Sequence, residues 1–374
     1  MKEIIVHPLP SLTTEVHDIP IPTPADDELI IKVVVAGSNV KDWAHITAQK
    51  ISVNSGDDVA GTLHAMGSEV AATGEFRIGD RVAGFHKMLE PGGAYAEYAV
   101  VPARTAFIIP QRTSFEEAAT IPLVTLTAAI SLFRRQSLPT PWSPFPPSNT
   151  FTPLVIYGAS SALGCFAIKL ASLSHIHPII AICGSSKDYV RTLLDDSKGD
   201  KIVDYRQGVE VWKEEIRRLL VGQRPPMNAL DAISANGTWI PLAQLLTDLS
   251  KNSVDPPTHP KLSVVSGAAQ YTDEGIPENV DIRYTYVGTV HYGAYKPSMP
   301  KQPSDKDEVK ADVEFAWVLM RYVGRMLALG KFTGHPCEVI PGGLGGVERG
   351  LNQLKAGQAK GKKFVYRIGE TIGL

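Results

Sequence analysis

Strand and helix patterns alternate along residues 154–266, and this alternation restricts the fold more than any other feature of the sequence. Short apolar runs predict strands at 154–157, 178–183, 201–203, 229–233 and 262–266. Helix-period patterns between them predict helices at 162–173, 186–195 and 209–220. A βαβα order of this kind is typical of an α/β protein with a doubly wound parallel sheet, because each helix carries the chain back to start the next parallel strand.

The first strand of this region leads into a turn of small residues, GASSALG at 158–164. One interpretation is a serine-hydrolase elbow with Ser160 as nucleophile, but Ala162 replaces the last glycine of that motif and no oxyanion-hole motif precedes it. The other is a dinucleotide-binding turn, where small residues let the backbone approach a pyrophosphate at a helix N-terminus. Gly164 would then let the helix pack close to the strand. We favour the dinucleotide interpretation.

The end of the second strand bears on which dinucleotide is bound. A NAD site places an acidic residue there to accept hydrogen bonds from the ribose hydroxyls, whereas this chain has CGSSK at 183–187. Two hydroxyls and an ammonium group suit a 2′-phosphate, so the residues favour NADPH over NADH. The structural alternative is that Ser185 or Ser186 caps the next helix and Lys187 is a surface lysine.

Length, charge and cysteine content exclude several classes of protein. A chain of 374 residues suits two domains, and a net charge of −2 provides no basic field for nucleic acid or anionic membrane. The three cysteines, Cys165, Cys183 and Cys337, form no C-x-x-C pair, so we expect neither a disulfide framework nor a thiolate metal site. With no secretory pattern and no apolar run near ~18 residues, we expect a cytoplasmic protein with a small ligand.

The segments outside the alternating region have a different sequence pattern. Residues 1–122 contain short strand patterns punctuated by Gly, Pro and Asp, which predicts a barrel or sandwich. Ser114 and Glu117 have the spacing of a capping box that begins a helical link. The remaining expectations are loops at 138–147 and 255–260, a solvated connector at 306–310, a helix at about 313–329 and a strand at 363–367.

Eight stretches in order along the chain resemble the medium-chain dehydrogenase/reductase superfamily, in its zinc-independent quinone-oxidoreductase branch. These stretches are GSNVKDW (37–43), NSGDDVAG (54–61), GDRVAGF (79–85), GGAYAEYAVV (92–101), EEAATIPLVTLTAA (116–129), YGASSALG (157–164), DKIVDYR (200–206) and AKGKKFVYRI (359–368). The resemblance implies a GroES-like β-barrel catalytic domain at 1–124 and 289–374, with a central Rossmann domain at 125–288. It leaves a monomer and a homodimer open.

The departures from the zinc enzymes of that superfamily are informative. Asn39 and Asp57 stand where those enzymes carry a cysteine and a histidine, and no cysteine follows Phe85 where their structural zinc lobe belongs. The resemblance therefore implies that no metal is bound. The insert after Leu138 and the closing residues look closer to fungal trans-acting enoyl reductases, which implies a polyketide synthase as a partner.

The resemblance also assigns cofactor-binding residues. It places the pyrophosphate on Gly158, Ala159, Ser160, Ser161, Ala162, Leu163 and Gly164, and the 2′-phosphate on Ser185, Ser186 and Lys187. Tyr205 would flank the adenosine, although a half-buried aromatic at a strand end is an equal alternative. The nicotinamide would lie against Val265, Ser266 and Gly267, with Thr127 in contact unless its hydroxyl bonds its own helix.

The implied reaction is hydride transfer from NADPH to the β-carbon of an α,β-unsaturated carbonyl or a quinone, followed by protonation at the α-carbon. Asn39 and Lys41 lie in the stretch that binds the catalytic metal in the zinc relatives. Lys41 is the first candidate to stabilise or protonate the enolate, and a solvated loop lysine is an equal alternative. Tyr95 is the second candidate. Asp57 and Asp58 are interpreted as an architectural turn whose carboxylates bond backbone N–H groups.

Other interpretations of the residues stay open. His291 and Tyr292 could border the substrate, although a histidine without a catalytic part is the simpler assignment. The chain could instead be a non-catalytic NADPH-binding partner or sensor, docking through the aromatic and proline-rich loop 138–147. The serine hydrolase with Ser160 is the third hypothesis.

Overall fold

The structure is a computed structural model that describes residues 1–143, 153–222, 224–251, 259–293 and 306–373. It divides into two compact units. The first comprises Met1–Leu126 with the described residues 288–293 and 307–373, and the second comprises the described part of Thr127–Val287 with Lys306.

The described residues form fifteen strands. In chain order they are β1 Lys2–His7, β2 Thr13–Asp18, β3 Glu28–Gly37, β4 Asp58–Met66, β5 Arg81–Phe85, β6 Tyr98–Pro102, β7 Ala106–Ile108, β8 Leu154–Tyr157, β9 Ile179–Cys183, β10 Lys201–Asp204, β11 Asn228–Asp231, β12 Lys261–Val264, β13 Asp281–Tyr284, β14 Cys337–Val339 and β15 Lys363–Arg367.

The described residues also form ten α-helices, one π-helical segment at Ile130–Arg135 and several short 3₁₀ turns. The α-helices are α1 Lys41–Gln49, α2 Ser68–Thr73, α3 Phe115–Ala118, α4 Pro122–Ala129, α5 Ala162–Leu173, α6 Lys187–Arg191, α7 Val209–Leu219, α8 Trp239–Ser250, α9 Lys306–Ala328 and α10 Val347–Lys355.

The second unit contains the predicted doubly wound sheet. Its six strands are all parallel and lie in the order β10-β9-β8-β11-β12-β13, so the chain reverses direction across the sheet between β8 and β11. Helices α5, α7 and α8 are crossovers, and α7 shows why they form: Trp212 and Ile216 are buried at helical spacing. The predicted parallel sheet is confirmed.

The first unit is built on a seven-stranded sheet in the order β14-β15-β3-β4-β5-β7, with β6 also paired to β3. Its core includes Ile31, Val59, Val82, Tyr95 and Tyr366, which come from strands and loops far apart in sequence. Ser114 is the predicted N-cap, because its hydroxyl accepts the Glu117 N–H at 3.0 Å, whereas the Glu117 carboxylate accepts the Gly334 N–H at 2.9 Å.

Several expectations about local structure need correction. The predicted connector at 306–310 is the start of α9, because Val309 and Val313 continue its buried face while the charged residues lie on the other side. The helix predicted at 186–195 stops at Arg191, and the Asp195 side chain instead accepts the Ser197 N–H in a 3₁₀ turn. The sequence patterns missed α8 and β13. Residues 144–147 and 255–258 of the predicted loops lie outside the described residues.

One helical run, Phe115–Arg135, is long and apolar enough to cross a membrane, where the sequence was expected to contain no such run. Its apolar window is 83% buried inside the protein. This burial is the behaviour of a core helix.

Candidate active site

The turn between β8 and α5 ends at a capped helix N-terminus. Ser161 is the N-cap of α5, and its hydroxyl accepts the Gly164 N–H at 3.0 Å. The N–H groups of a first helical turn have no intrahelical acceptor, so those of Ala162 and Leu163 are not used within α5. The Ser161 hydroxyl oxygen therefore accepts a hydrogen bond within the turn, and the hydroxyl hydrogen stays available as a donor.

Two glycines, Gly158 and Gly164, allow this turn to pack closely against neighbouring residues. Gly158 has φ +72°, a left-handed conformation, and a Cβ there would meet the Ile233 side chain. A Cβ on Gly164 would meet the Gly158 carbonyl oxygen and would lie 2.7 Å from the Ala159 Cα. Because these neighbours of Gly164 are backbone atoms, the close helix–strand packing admits no larger residue there.

The ends of β9 and β10 form a second part of the site. Residues Cys183 and Asp204 are direct neighbours in the parallel pairing. Tyr205 is 43% exposed and packs over Gly184, where an added Cβ would lie 2.9 Å from its ring. The predicted phosphate ligand Lys187 begins α6, and Ser186 precedes it without a side-chain capping bond. The helix-capping alternative is therefore not used by Ser186.

The charges at these strand ends are mostly positive. Burial raises the pKa of the Cys183 thiol to about 11 and Asp204 adds to the rise, while three nearby cations oppose it. These cations are Lys187, Arg206 and Arg191. The sequence argument overlooked Asp204 and Arg206, which are brought beside Cys183 by strand pairing.

Asp204 and Arg206 form a bidentate ion pair. The Arg206 Nε lies 2.9 Å from Asp204 Oδ1, and its terminal nitrogen lies 2.5 Å from Oδ2. The hydrogen bonds from the Arg206 side chain lower the pKa of the Asp204 carboxyl to about 2. The carboxylate stays ionised at neutral pH and neutralises part of the positive charge.

The end of β12 carries the predicted nicotinamide residues. The Val265 N–H donates to the Ser234 hydroxyl at 2.9 Å, and the Tyr271 hydroxyl donates to the Ser266 carbonyl at 2.6 Å. Gly267 is close to Tyr284, because an added Cβ would lie 2.8 Å from its hydroxyl. Thr127 lies in α4 with 7% of its surface exposed.

The first unit contains a buried ionic cluster around Lys363 of β15. The Lys363 ammonium contacts the Asp58 carboxylate and donates to Asn39 Oδ1 at 3.0 Å. Asn39 donates to Asp58 Oδ2 at 2.9 Å, and the Leu123 N–H donates to Asp58 Oδ1 at 2.7 Å. The Lys363 and Asp58 side chains are only 3% and 0% exposed. One ammonium thus ties β15 to β4 and to the segment that begins α1.

Lys41 forms a second buried group. Its ammonium contacts the Asp57 carboxylate, lies 2.6 Å from the Ser55 carbonyl oxygen and 3.1 Å from Asp42 Oδ1. The fully buried Tyr95 donates its hydroxyl hydrogen to Asp42 Oδ2 at 2.6 Å. The three ammonium hydrogens therefore match three internal acceptors.

The carboxylates of Asp57 and Asp58 do not form the predicted turn. They were expected to bond backbone N–H groups nearby, but Asp57 pairs with Lys41 and Asp58 pairs with Lys363. The backbone N–H that Asp58 does accept belongs to Leu123, 65 residues further along. The two adjacent side chains point to different partners, as successive residues of an extended segment do.

Burial raises the pKa of Asp57 to about 8, although Lys41 opposes the rise. The folded state then holds a proton that the unfolded state releases near pH 4, so this stabilisation is complete below pH 4 and is lost as pH rises through about 8. We expect the free energy of unfolding to fall between pH 5 and 8 by up to about 1.4 kcal/mol per pH unit. Asp57→Asn should flatten that slope.

Urea unfolding at several pH values checks this expectation. Asp188→Asn is the matched control, because that side chain is 90% exposed and the substitution should leave the slope as it is in the wild type. Equal slopes for Asp57→Asn and the wild type would contradict the assignment.

His291 is also buried in the first unit. Its ring lies 4.8 Å from the Phe85 ring, and burial lowers its pKa to about 3, so it is neutral at physiological pH. Tyr292 is 47% exposed, and the Arg104 guanidinium lies 4.3 Å from the centre of its ring. These contacts are those of packing and surface residues.

Comparison with known proteins places this geometry in a family. Residues 25–111 match the alcohol dehydrogenase GroES-like domain. Trans-enoyl reductase fsr4 of Gibberella fujikuroi is 37% identical over 344 residues, which is 91% of each chain. The chain belongs to the trans-enoyl reductase family. It is a medium-chain dehydrogenase/reductase of the enoyl-reductase type, an oxidoreductase of a group that uses nicotinamide cofactors.

Solved structures share the fold of this family member. The CurK enoyl reductase matches with a TM-score of 0.68 at 19% identity, covering 97% of this chain and 98% of that one. Mycobacterial Rv1454c, solved in complex with NADPH, matches with a TM-score of 0.64 at 19% identity, covering 98% and 99%. At these identities the likeness establishes the fold. The predicted combination of a GroES-like domain with a Rossmann-type sheet is confirmed.

The structure brings the sequence-predicted residues of this family member together in two groups. The cofactor residues around 158–164, 183–187, 205 and 265–267 follow the carboxyl ends of β8, β9, β10 and β12, which lie on one edge of the parallel sheet. Asn39, Lys41 and Tyr95 lie in the first unit within the two buried ionic groups. Their roles at the reacting carbons stay predictions.

Proposed function

We propose that this protein is an NADPH-dependent enoyl reductase that delivers hydride to the β-carbon of an α,β-unsaturated carbonyl substrate. Membership of the trans-enoyl reductase family carries the proposal, and the helix N-terminus at Ala162 supports it as a pyrophosphate site. Bound nicotinamide would supply the hydride. The chain must hold the donor and acceptor carbons about 3–3.5 Å apart and stabilise the enolate oxygen until the α-carbon gains a proton.

The preference for NADPH rests on charge at the ends of β9 and β10. Lys187, Arg191 and Arg206 lie near Cys183 together with Asp204. Asp204 pairs with Arg206 and Asp188 pairs with Arg191, so the Lys187 ammonium carries most of the uncompensated positive charge. Arg206 donates from Nε and one terminal nitrogen to Asp204, so the other terminal nitrogen of its guanidinium is the donor that would reach a phosphate. We add Arg206 to the predicted 2′-phosphate ligands Ser185, Ser186 and Lys187, with Tyr205 over Gly184 as the platform for the adenine.

Lys187→Met and Arg206→Met should each weaken NADPH binding and leave NADH binding nearly unchanged. A charge-assisted hydrogen bond contributes about 1.5–3 kcal/mol, so the dissociation constant for NADPH should rise roughly tenfold to a hundredfold. Calorimetric titration with both cofactors checks this. Lys198→Met is the matched control, because Lys198 lies in the 3₁₀ turn paired with Asp195. Equal losses for NADPH and NADH would remove the 2′-phosphate assignment.

The substrate class we propose is an enoyl thioester carried by a polyketide synthase. The fsr4 relative bears the description trans-enoyl reductase, which supports action on a chain held by a separate synthase. The cytoplasm is the compartment we propose, and both a monomer and a homodimer agree with the proposal. Free enones and quinones are the competing substrates.

We also propose that the reaction is independent of zinc. Asp57 stands where the zinc enzymes carry a histidine and is paired with Lys41. Asn39 stands where they carry a cysteine and donates to Asp58 Oδ2 at 2.9 Å. In the part of the chain that the structure describes, no three His, Cys, Asp or Glu side chains are grouped to hold a metal ion.

The test is NADPH oxidation by the purified protein with an enoyl pantetheine thioester, the same acyl chain on a carrier protein, a free enone and a quinone. Turnover with the thioesters that withstands EDTA is the expected result. Tight NADPH binding without turnover on any of the four would favour a non-catalytic binding partner or sensor. Labelling of Ser160 by a fluorophosphonate would favour the hydrolase instead.

A further inference from the structure

Residues 231–234, which follow the end of β11, contact the pyrophosphate turn. The Ala232 N–H donates to the Tyr157 carbonyl at 3.0 Å, just before that turn begins. The Ile233 side chain lies against Gly158, because a Cβ added to that glycine would lie 2.8 Å from the Ile233 Cδ1. This four-residue segment therefore forms the floor under the turn that is proposed to hold the pyrophosphate.

The same segment holds the residues that follow β12. The Ser234 hydroxyl accepts the Val265 N–H at 2.9 Å and donates to the Asp231 carbonyl at 2.8 Å. Ser234 is 1% exposed, so its hydroxyl is used entirely inside the protein. The side chain thus continues the pairing of β11 with β12 by one more hydrogen bond after the strands end.

The conformation of the segment is strongly determined by Asp231. Its Oδ1 accepts the Ile233 N–H at 3.0 Å and the Ser234 N–H at 2.8 Å, and its Oδ2 accepts the Thr238 hydroxyl at 2.5 Å. These bonds hold Ser234 at φ +48°, a left-handed conformation that is uncommon outside glycine, asparagine and aspartate. A non-glycine residue in this conformation persists only where its surroundings over-determine it.

Tyr271 holds the segment after β12 from another direction. Its hydroxyl donates to the Ser266 carbonyl at 2.6 Å, and its ring packs edge-on against Trp239 at 4.9 Å. Trp239 is itself fixed by a hydrogen bond from Nε1 to Asp273 at 2.8 Å. Burial raises the pKa of the Tyr271 phenol to about 12, so it remains a donor at physiological pH.

We propose that Ser234 is a positioning residue that sets the distance between the pyrophosphate turn and the residues facing the nicotinamide. The inference rests on the proposed function. A dinucleotide has limited length, so a rigid link between the segments at its two ends determines where its nicotinamide lies. Since hydride transfer is sensitive to misplacements of about 1 Å, a loose link would slow the reaction while leaving the other contacts to the cofactor intact.

Ser234→Ala and Tyr271→Phe test the proposal, because Ser234 bonds to Val265 and Tyr271 bonds to Ser266. Each removes one hydrogen bond to residues 265–266, which should weaken NADPH binding about threefold to tenfold. Binding of 2′-phospho-ADP-ribose, which lacks the nicotinamide, should stay within about twofold of the wild type. The kcat for enoyl reduction should fall about tenfold to a hundredfold because the nicotinamide is misplaced.

Ser250→Ala is the control, because among the described residues the Ser250 hydroxyl bonds only within α8, to the Thr247 carbonyl at 2.8 Å. It should change neither ligand affinity nor kcat. Equal loss of both ligands in Ser234→Ala would show a merely structural role, and unchanged NADPH affinity and kcat would also overturn the proposal. If the wild type binds neither ligand, the proposed function itself fails, which is a distinct outcome.

Discussion

Gly164→Val is expected to lower the affinity for NADPH by about tenfold to a hundredfold. A side chain at this position would meet the Gly158 carbonyl oxygen and the Ala159 backbone, and these atoms belong to the turn proposed to hold the pyrophosphate. Overpacking of this kind costs about 1–3 kcal/mol, and relief requires α5 to move away from the turn with its N–H groups. Fluorescence or calorimetric titration with NADPH measures the loss.

The control for this substitution is Gly345→Val, since an added Cβ at Gly345 would meet nothing within 4 Å. That variant should bind NADPH like the wild type. Circular dichroism of both variants separates loss of the site from loss of the fold, and Gly164→Ala, with less bulk, serves as a second variant should valine prevent folding. Wild-type affinity in a folded Gly164→Val protein would contradict the pyrophosphate assignment.

Lys363→Met is expected to lower the free energy of unfolding by about 3–5 kcal/mol, the range for removing one partner of a buried ion pair. The substitution would leave the Asp58 carboxylate buried without its counter-charge, and would also remove the donor to Asn39 Oδ1. Because the cluster joins β15 to β4, the loss affects the centre of the first unit. Urea unfolding followed by circular dichroism measures it.

The preceding residue provides the control. Lys362 is 52% exposed and pairs with Glu338 at the surface, so Lys362→Met should change the free energy of unfolding by less than about 1 kcal/mol. Similar effects for the two substitutions would show that Lys363 is not held in an essential buried pair.

Elements with strong local signals were predicted well from the sequence. Strand β8, helix α5 and strand β15 have the bounds predicted for them, because a continuous apolar run or a helix-period pattern ends at clear turn residues. The predicted start of α9 was wrong. Its first turn consists mainly of charged residues, which favoured a solvated connector, but burial of Val309 stabilises that turn as helix. Helix α8 was missed although its buried residues Trp239, Leu242, Leu246 and Leu249 recur at helical spacing.

The residues of the candidate site likewise divide into those with a local sequence signal and those without one. The turn at 158–164 could be recognised from its own residues, because small side chains at a strand–helix junction let the backbone approach an anion at the helix N-terminus. Arg206 and Asp204 could not be placed at the phosphate end from their own stretch of sequence, because only the register of β10 against β9 brings them beside Cys183. Ser234 had no sequence signal at all, since its role depends on one hydrogen bond to Val265.

By itself the sequence determined the order of strands and helices around the dinucleotide turn, the small residues of that turn and the absence of an acid after Cys183, because these depend on neighbours within a few positions. Only the tertiary structure decided how the buried charges pair. Asp57 and Asp58 are adjacent in the chain, yet Lys41 lies 16 residues from the first and Lys363 lies 305 residues from the second. Burial makes an unpaired charge costly, so folding selects partners by position in space, which local sequence does not encode.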